Sequence, residues 1–296
     1  MKSNILDLIT ERIVLLDGGM GTELIKNGLP SGACPELWNV ENPEIIKNIH
    51  SNYFKAGSDA VLTNSFGGNS IKLSAYNLEK RCYELNFEAA RIANEVRTNG
   101  KFVGGSIGPT GKFLKPTGNF TEEEFEESFT KQAKALSDGK VDFILIETQY
   151  DIKEALCAFR ASKRVSSVPV FVTMTFNIYP KGYFTIMGNS VEQCIEEFKA
   201  NEIPVLGANC TLNSKDMVNL IKTMRQATSL PLIAQANAGQ PLLGSNGRVK
   251  YTQTVEEYVK HVPEIIRNGA NIIGGCCGTD PEYIRQMARI IKNYNN

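Results

Sequence analysis

The stretch Ile272-Ile273-Gly274-Gly275-Cys276-Cys277-Gly278-Thr279 decides how this chain folds. A short apolar run gives way to glycines, two adjacent cysteines and a polar turn, and a charged amphipathic segment, Glu282 to Lys292, follows. Working back toward the N-terminus, the same order recurs. Candidate strands are Ile13 to Leu16, Ala60 to Thr63, Phe102 to Gly105, Phe143 to Ile146, Val168 to Met174, Val205 to Ala208, Leu232 to Gln235 and Ile272 to Gly275. Between them lie candidate helices at Glu41 to Ala56, Glu79 to Val96, Glu122 to Asp138, Ile152 to Arg164, Val191 to Ala200, Lys215 to Gln226 and Val255 to Arg267. Asn42-Pro43, Thr121 ahead of three glutamates, and Thr279-Asp280-Pro281 supply helix starts. Strands that are apolar throughout and separated by helices imply a parallel sheet covered on both faces. Eight such pairs in 296 residues predict an α/β protein, a (β/α)8 TIM barrel forming a single domain over residues 1–296. A doubly wound open sheet is the alternative.

Composition removes several classes of partner. The 32 basic and 32 acidic side chains cancel, leaving no basic stripe for a phosphate backbone, so neither nucleic acid nor a membrane is expected. No apolar run approaches the ~20 residues of a membrane helix. Met1-Lys2-Ser3-Asn4 leads into an amphipathic segment and not into the long apolar core of a signal peptide. Seven cysteines, an odd number scattered along the chain, fit a reducing compartment better than a disulfide framework, and the expected location is cytoplasmic.

Catalytic groups of such barrels come from the carboxyl ends of the strands. The polar signatures sit there: Asp17-Gly18-Gly19-Met20-Gly21-Thr22, Thr63-Asn64-Ser65-Phe66, Glu147-Thr148, Asn209-Cys210, Asn237-Ala238-Gly239 and Cys276-Cys277. Cys34, Cys82, Cys157 and Cys194 read as small buried hydrophobes. The glycine-flanked pair Cys276-Cys277 reads as metal ligands, with a redox or vicinal disulfide as the alternative. Cys210 joins the pair because its strand end is separated from theirs by one strand. His50 and His261 fall within amphipathic helices, as surface or satisfied positions, so a triad or di-histidine hydrolase lacks its base. Three thiolates make zinc a poor activator of water. Their better use is to hold a substrate thiol deprotonated, which directs the chemistry toward alkyl transfer onto sulfur from an activated methylcobalt, sulfonium or quaternary ammonium donor. Glu147, an ionisable group after an apolar strand, calls for a partner.

With Leu16 to Leu24, Leu62 to Asn69, Ser106-Ile107-Gly108-Pro109-Thr110-Gly111, Ile144 to Thr148, Gly207-Ala208-Asn209-Cys210, Asn237-Ala238-Gly239 and Gly274 to Thr279, the chain resembles the homocysteine S-methyltransferase family over nearly its whole length. It looks most like the homocysteine-binding module of cobalamin-dependent methionine synthase. The resemblance implies Zn2+ on Cys210, Cys276 and Cys277, with homocysteine sulfur as fourth ligand and the Asn237 amide oxygen exchanging with it. It places Asp17 and Glu147 on the substrate ammonium, and the Gly18 and Gly19 amides, Thr63 and Ser106 on its carboxylate, with Asn209 in the same substrate site. The implied enzyme forms methionine from homocysteine. Its donor would be methylcobalamin or another methylcorrinoid on a separate protein, with a corrinoid and folate-binding methyltransferase as partner, because the chain ends soon after the helix that follows Cys277. The alternatives are an S-methylmethionine or betaine donor, corrinoid-linked transfer with another thiol, and a non-catalytic subunit that presents homocysteine.

Overall fold

The computed structural model describes residues 4–243 and 249–295. Eight apolar runs pair into one sheet: β1 (Val14–Leu15), β2 (Ala60–Leu62), β3 (Phe102–Ile107), β4 (Phe143–Gln149) and β5 (Val170–Met174), then, after the hairpin β6 (Asn177–Tyr179) and β7 (Gly182–Phe184), β8 (Leu206–Asn213) and β9 (Leu232–Asn237). A second hairpin, β10 (Pro241–Leu243) and β11 (Val249–Tyr251), precedes the last barrel strand, β12 (Ala270–Gly275). The order in the sheet is β1-β12-β9-β8-β5-β4-β3-β2, with every pair parallel and helices between successive strands. This is the (β/α)8 barrel and not the doubly wound sheet.

The seam between β1 and β2 is closed largely by side chains. At its lower end the Asp59 amide donates to the Leu15 carbonyl at 2.7 Å, and the Leu15 amide donates to Asp59 Oδ2 at 3.0 Å. At its upper end the Leu62 amide donates to Asp17 Oδ2 at 2.8 Å. Burial alone would raise the Asp59 carboxyl, but the paired hydrogen bonds from the Arg12 guanidinium, with Lys101 beside it, hold it below the usual carboxylate range.

Side chains alternate along a strand, so every second residue faces the barrel axis. The inward set Val14, Leu16, Ala60, Leu62, Phe102, Phe143, Leu145, Phe171, Val205, Ile233 and Ile272 forms one apolar cluster. Ile5 and Ile9, on the helix Ile5–Glu11, close it from the N-terminal end of the barrel. Continuing by steps of two toward the carboxyl ends, the same inward face becomes polar: Ser106, Glu147, Thr173, Asn209 and Gln235, all buried. The barrel is therefore apolar at its base and polar at its mouth.

The helices follow the sequence reading with informative exceptions. Thr121 caps the helix Glu122–Asp138 in a capping box with Glu124, and Asp280 caps Pro281–Lys292. The single helix expected over 255–267 is two, Val255–Val259 and Val262–Arg267. The break falls at Lys260-His261, because Pro263 in the first turn of the second helix has no N–H to offer the Val259 carbonyl. No described helix is long and apolar enough to cross a membrane.

His50, expected at a surface or satisfied position, is instead fully buried on the helix Pro43–Ala56, and neither ring nitrogen has a hydrogen-bond partner. Burial lowers its pKa from 6.5 to about 4, so the ring folds as the neutral form. The unfolded chain thus binds a proton that the folded one refuses, and stability falls as pH drops from 6.5 toward 4. The difference corresponds to about 3 kcal/mol. Urea unfolding across that window should show the loss in the parent and a flatter dependence in His50→Leu; parallel curves would remove His50 as the cause.

Candidate functional site

Simple alternation cannot bring Cys210 to the site. Asn209 faces inward, so in a straight strand Cys210 would face the helices. The backbone prevents this: Cys210 and Thr211 adopt left-handed φ values of 61° and 50°, where the β8–β9 register shifts between Asn209 and Asn213. After this kink the Cys210 sulfur lies 4.0 Å from that of Cys277. On the other side, β12 ends at Gly275, and the turn through Gly278 lets the adjacent Cys276 and Cys277 serve one point. The three sulfurs lie within 4.8 Å of one another, and all three residues are half-buried. Among the described residues no other histidine, cysteine, aspartate or glutamate joins the group.

The electrostatics of the cluster suit a cation. Hydrogen bonds from the Cys276 and Cys277 thiols favour a thiolate on Cys210 and lower its pKa. The same contacts, with burial, raise Cys276 and Cys277. The cluster therefore gives up its first proton readily and holds the other two, as interacting acids do. A metal dication would supply the charge that releases them. Asn237 stands at the edge of the group, its Oδ1 accepting from the Cys277 amide at 3.1 Å and its side chain hydrogen bonding to Cys210. Tyr251, which the sequence reading did not single out, also hydrogen bonds to Cys277. Its ring lies against Gly278, where an added Cβ would sit 2.3 Å from Tyr251 Cγ.

Below the sulfurs lie two buried carboxylates. Asp17 uses Oδ2 in the barrel seam, while its buried Oδ1 has no partner. Burial drives Asp17 well above the usual carboxylate range, and the charge of Glu147 adds to the effect despite the Leu62 hydrogen bond. Burial raises Glu147 to about 7, against the opposing hydrogen bond from Ser106 Oγ at 2.5 Å.

The other expected substrate contacts are engaged within the protein. The Ser106 hydroxyl donates to Glu147, and its amide donates to Thr63 Oγ1, which also pairs with Ser65 Oγ at 2.6 Å. The Gly19 amide donates to the Thr279 carbonyl and hydroxyl. Among the described residues the Gly18 amide has no such acceptor. Asn209 is fully committed: Oδ1 accepts from the Thr148 amide at 2.8 Å and the Thr173 hydroxyl at 2.9 Å, and Nδ2 donates to Glu147 Oε2 at 3.3 Å and Thr148 Oγ1 at 2.7 Å. Thr148 is itself left-handed at φ 60°, so Asn209 ties the kinks of β4 and β8 together and holds Glu147 between them.

A cavity of about 670 Å³ opens elsewhere, beside the helix Glu122–Asp138, with Ile71, Phe120 and Lys134 in its lining and none of the three cysteines.

A sequence profile described as homocysteine S-methyltransferase matches residues 14–291. The methionine synthase of Mycobacterium tuberculosis (strain ATCC 25618 / H37Rv) is 30% identical over 309 residues, covering 98% of this chain and 26% of that protein. The Mycobacterium leprae (strain TN) methionine synthase is 29% identical over 99% of this chain, again 26% of its length. The chain thus spans about a quarter of these relatives. In three dimensions it is similar to the homocysteine methyltransferase MmuM from Escherichia coli. Its metallated form has a TM-score of 0.78 at 23% identity, over 97% of this chain and 98% of that one. Its oxidized form has 0.80 at 22%, over 97% and 100%. At this identity the likeness shows the barrel fold.

Asn209→Ala should destabilise the metal-free protein by about 2–4 kcal/mol, since it strips partners from a buried carboxylate and a strained turn. Urea unfolding measures it, and a loss below about 0.5 kcal/mol would mean that the brace carries no weight.

Proposed function

The chain belongs to the homocysteine S-methyltransferase family, and on that premise we propose that it transfers a methyl group to the sulfur of homocysteine, forming methionine, with Zn2+ on Cys210, Cys276 and Cys277. The observation that carries the reading is the cluster of three sulfurs within 4.8 Å at the barrel mouth, with no fourth side chain of ligand type in the group among the described residues. Four-thiolate zinc sites are structural, whereas three protein ligands leave a position for substrate. Zn2+ bound there supplies that open position, where a thiol stays deprotonated near neutral pH and remains nucleophilic.

The chain's own residues bind and orient the amino acid. Asp17 and Glu147 receive its ammonium, which supplies the positive charge that both buried carboxylates lack. Asn209 and Ser106 fix the Glu147 carboxylate, and Asn209 acts as a brace and not as a substrate contact. The Gly18 amide is the donor left for the substrate carboxylate. Asn237, whose side chain hydrogen bonds to the Cys277 amide and to Cys210, would be the group that yields to the incoming thiol. The methyl group would then pass to sulfur by in-line displacement, the thiolate forming the S–CH3 bond as the donor–CH3 bond breaks and the demethylated donor leaves with that electron pair.

The donor we propose is a methylcorrinoid such as methylcobalamin, carried on a separate corrinoid and folate-binding methyltransferase protein. The supporting observation is the likeness to methionine synthases over 98% and 99% of this chain. A small diffusible donor, S-methylmethionine or betaine, is the second reading. It accords with the Escherichia coli homocysteine methyltransferase that shares this barrel fold. The reducing cytoplasm that free thiols need is the proposed location.

Two measurements test the proposal. Zinc-loaded protein given homocysteine should form methionine, and methylcobalamin, S-methylmethionine and betaine are compared as donors. Turnover with methylcobalamin alone supports the first reading, turnover with a small donor supports the second, and zinc-dependent homocysteine binding without turnover would leave a substrate-presenting subunit. Cys276→Ala should lose tightly bound zinc and turnover while the barrel stays folded, because the sulfurs lie at the rim and the apolar core lies below. Metal analysis and circular dichroism read both, and an unfolded variant would make the zinc structural.

A further inference from the structure

Gln235 is the member of the polar inward layer that the contacts above leave idle. It is 2% exposed, its Oε1 is buried without a hydrogen-bond partner, and its Nε2 reaches only the Gly275 carbonyl at 3.5 Å. In the sheet it lies in register between Asn209 of β8 and Gly274 of β12. Gly274 is a point of close packing on this side. A Cβ there would lie 2.9 Å from Leu16 Cβ, 3.1 Å from the Asp17 carbonyl oxygen and 3.2 Å from Gln235 Cγ, so the bare backbone of Gly274 brings Gln235 beside the Asp17 main chain. Asp17 Oδ1 is likewise buried without a partner among the described residues, and the Glu147 carboxylate is held from the other side by Asn209.

Three acceptors thus border one region, and an ammonium group presents three N–H donors. We infer that Gln235 Oε1 is the third acceptor for the ammonium of the amino-acid substrate, beside Asp17 and Glu147. This rests on the homocysteine reading above. A neutral amide suits the third place: two carboxylates already exceed the charge of one ammonium, and a third buried anion would be repelled by both. An unpartnered buried carbonyl oxygen is costly in the empty protein, and an incoming N–H removes that cost. Gln235 therefore acts on recognition of the amino group and does not touch the sulfur.

The test is calorimetric binding to the zinc-loaded chain of homocysteine and of 4-mercaptobutanoate, the same thiol acid without the amino group. Gln235→Met keeps length and volume and removes the acceptor. Gln235→Ala is run beside it, so that a packing failure of the longer side chain leaves the comparison readable. The expected result is homocysteine binding weakened by about 10- to 100-fold, the scale of one hydrogen bond to a charged group. Zinc content and 4-mercaptobutanoate affinity should stay unchanged. Unchanged homocysteine affinity, or equal weakening of both ligands, would overturn the assignment. Glu147→Gln separates the two levels. If Glu147→Gln weakens homocysteine and Gln235→Met does not, only the role of Gln235 falls; if neither variant changes binding, the homocysteine reading itself falls.

Discussion

A parallel barrel has to close on itself, and here closure depends on two aspartates. β1 is two residues long and cannot complete a ladder with β2, so Asp59 accepts the Leu15 amide at one end of the seam and Asp17 accepts the Leu62 amide at the other. The two ends differ in what neutralises them. Asp59 is held by Arg12 and Lys101 and is ionised below the usual range. Asp17 has no ion pair among the described residues, and burial pushes its carboxyl the opposite way. The same device is a finished clamp at the base and an unfinished charge site at the mouth. A carboxylate that is structurally required and electrostatically unsatisfied is where an external cation gains most.

The mouth also holds the backbone strain. Thr148, Cys210 and Thr211 occupy left-handed φ values that β-branched and ordinary side chains avoid. Such positions cost on the order of 1–3 kcal/mol each and persist only where their surroundings impose them. The return on the strain is geometric. Without the kink in β8 the Cys210 sulfur would lie on the helix side of the sheet, and without the kink in β4 the Thr148 hydroxyl could not reach Asn209. One amide side chain ties both kinks to the Glu147 carboxylate and lies 3.9 Å from the Cys276 sulfur. The cysteine end and the proposed amino end of the site are thereby parts of one hydrogen-bonded unit.

What could be read from the sequence follows the same division. The eight barrel strands were visible because burial on both faces makes them continuously apolar, and their polar ends were visible because that run stops abruptly, as at Glu147 and Asn209. Cys276 and Cys277 stood out through their glycine flanks. Less could be read where an outcome depends on tertiary packing. Nothing in the composition around Thr148 or Cys210 marks a left-handed residue, since both are types that avoid it. Ser106 and Thr63 were read as donors to substrate, but a hydroxyl's partner depends on neighbouring strands, and here it is Glu147 and Ser65. The two hairpins after β5 and β9 lack the long apolar runs that announce a barrel strand, so Tyr251 could not be connected to Cys277. His50 shows the limit from the other side. A polar residue on an amphipathic helix implies exposure or a partner, and the packing around it supplies neither.

The gradient from base to mouth explains why stability and chemistry can be separated in this fold. The base is apolar, plugged by Ile5 and Ile9 and clamped by an ion pair, so it depends on burial and on a charge already neutralised. The mouth combines three sulfurs whose second and third protons are held back, two carboxylates raised by burial, and two buried side-chain oxygens without partners. Each of these is a cost in the empty protein, and each is relieved by the same kind of visitor, a group carrying positive charge or N–H donors. A metal dication answers the sulfurs and an ammonium answers the oxygens. The proposed substrate, homocysteine, would meet both ends at once, its sulfur directed to a metal on the cysteines and its ammonium to the carboxylates. The proposed recognition of both ends therefore rests on two separate unsatisfied clusters tied together through β4, β8 and Asn209.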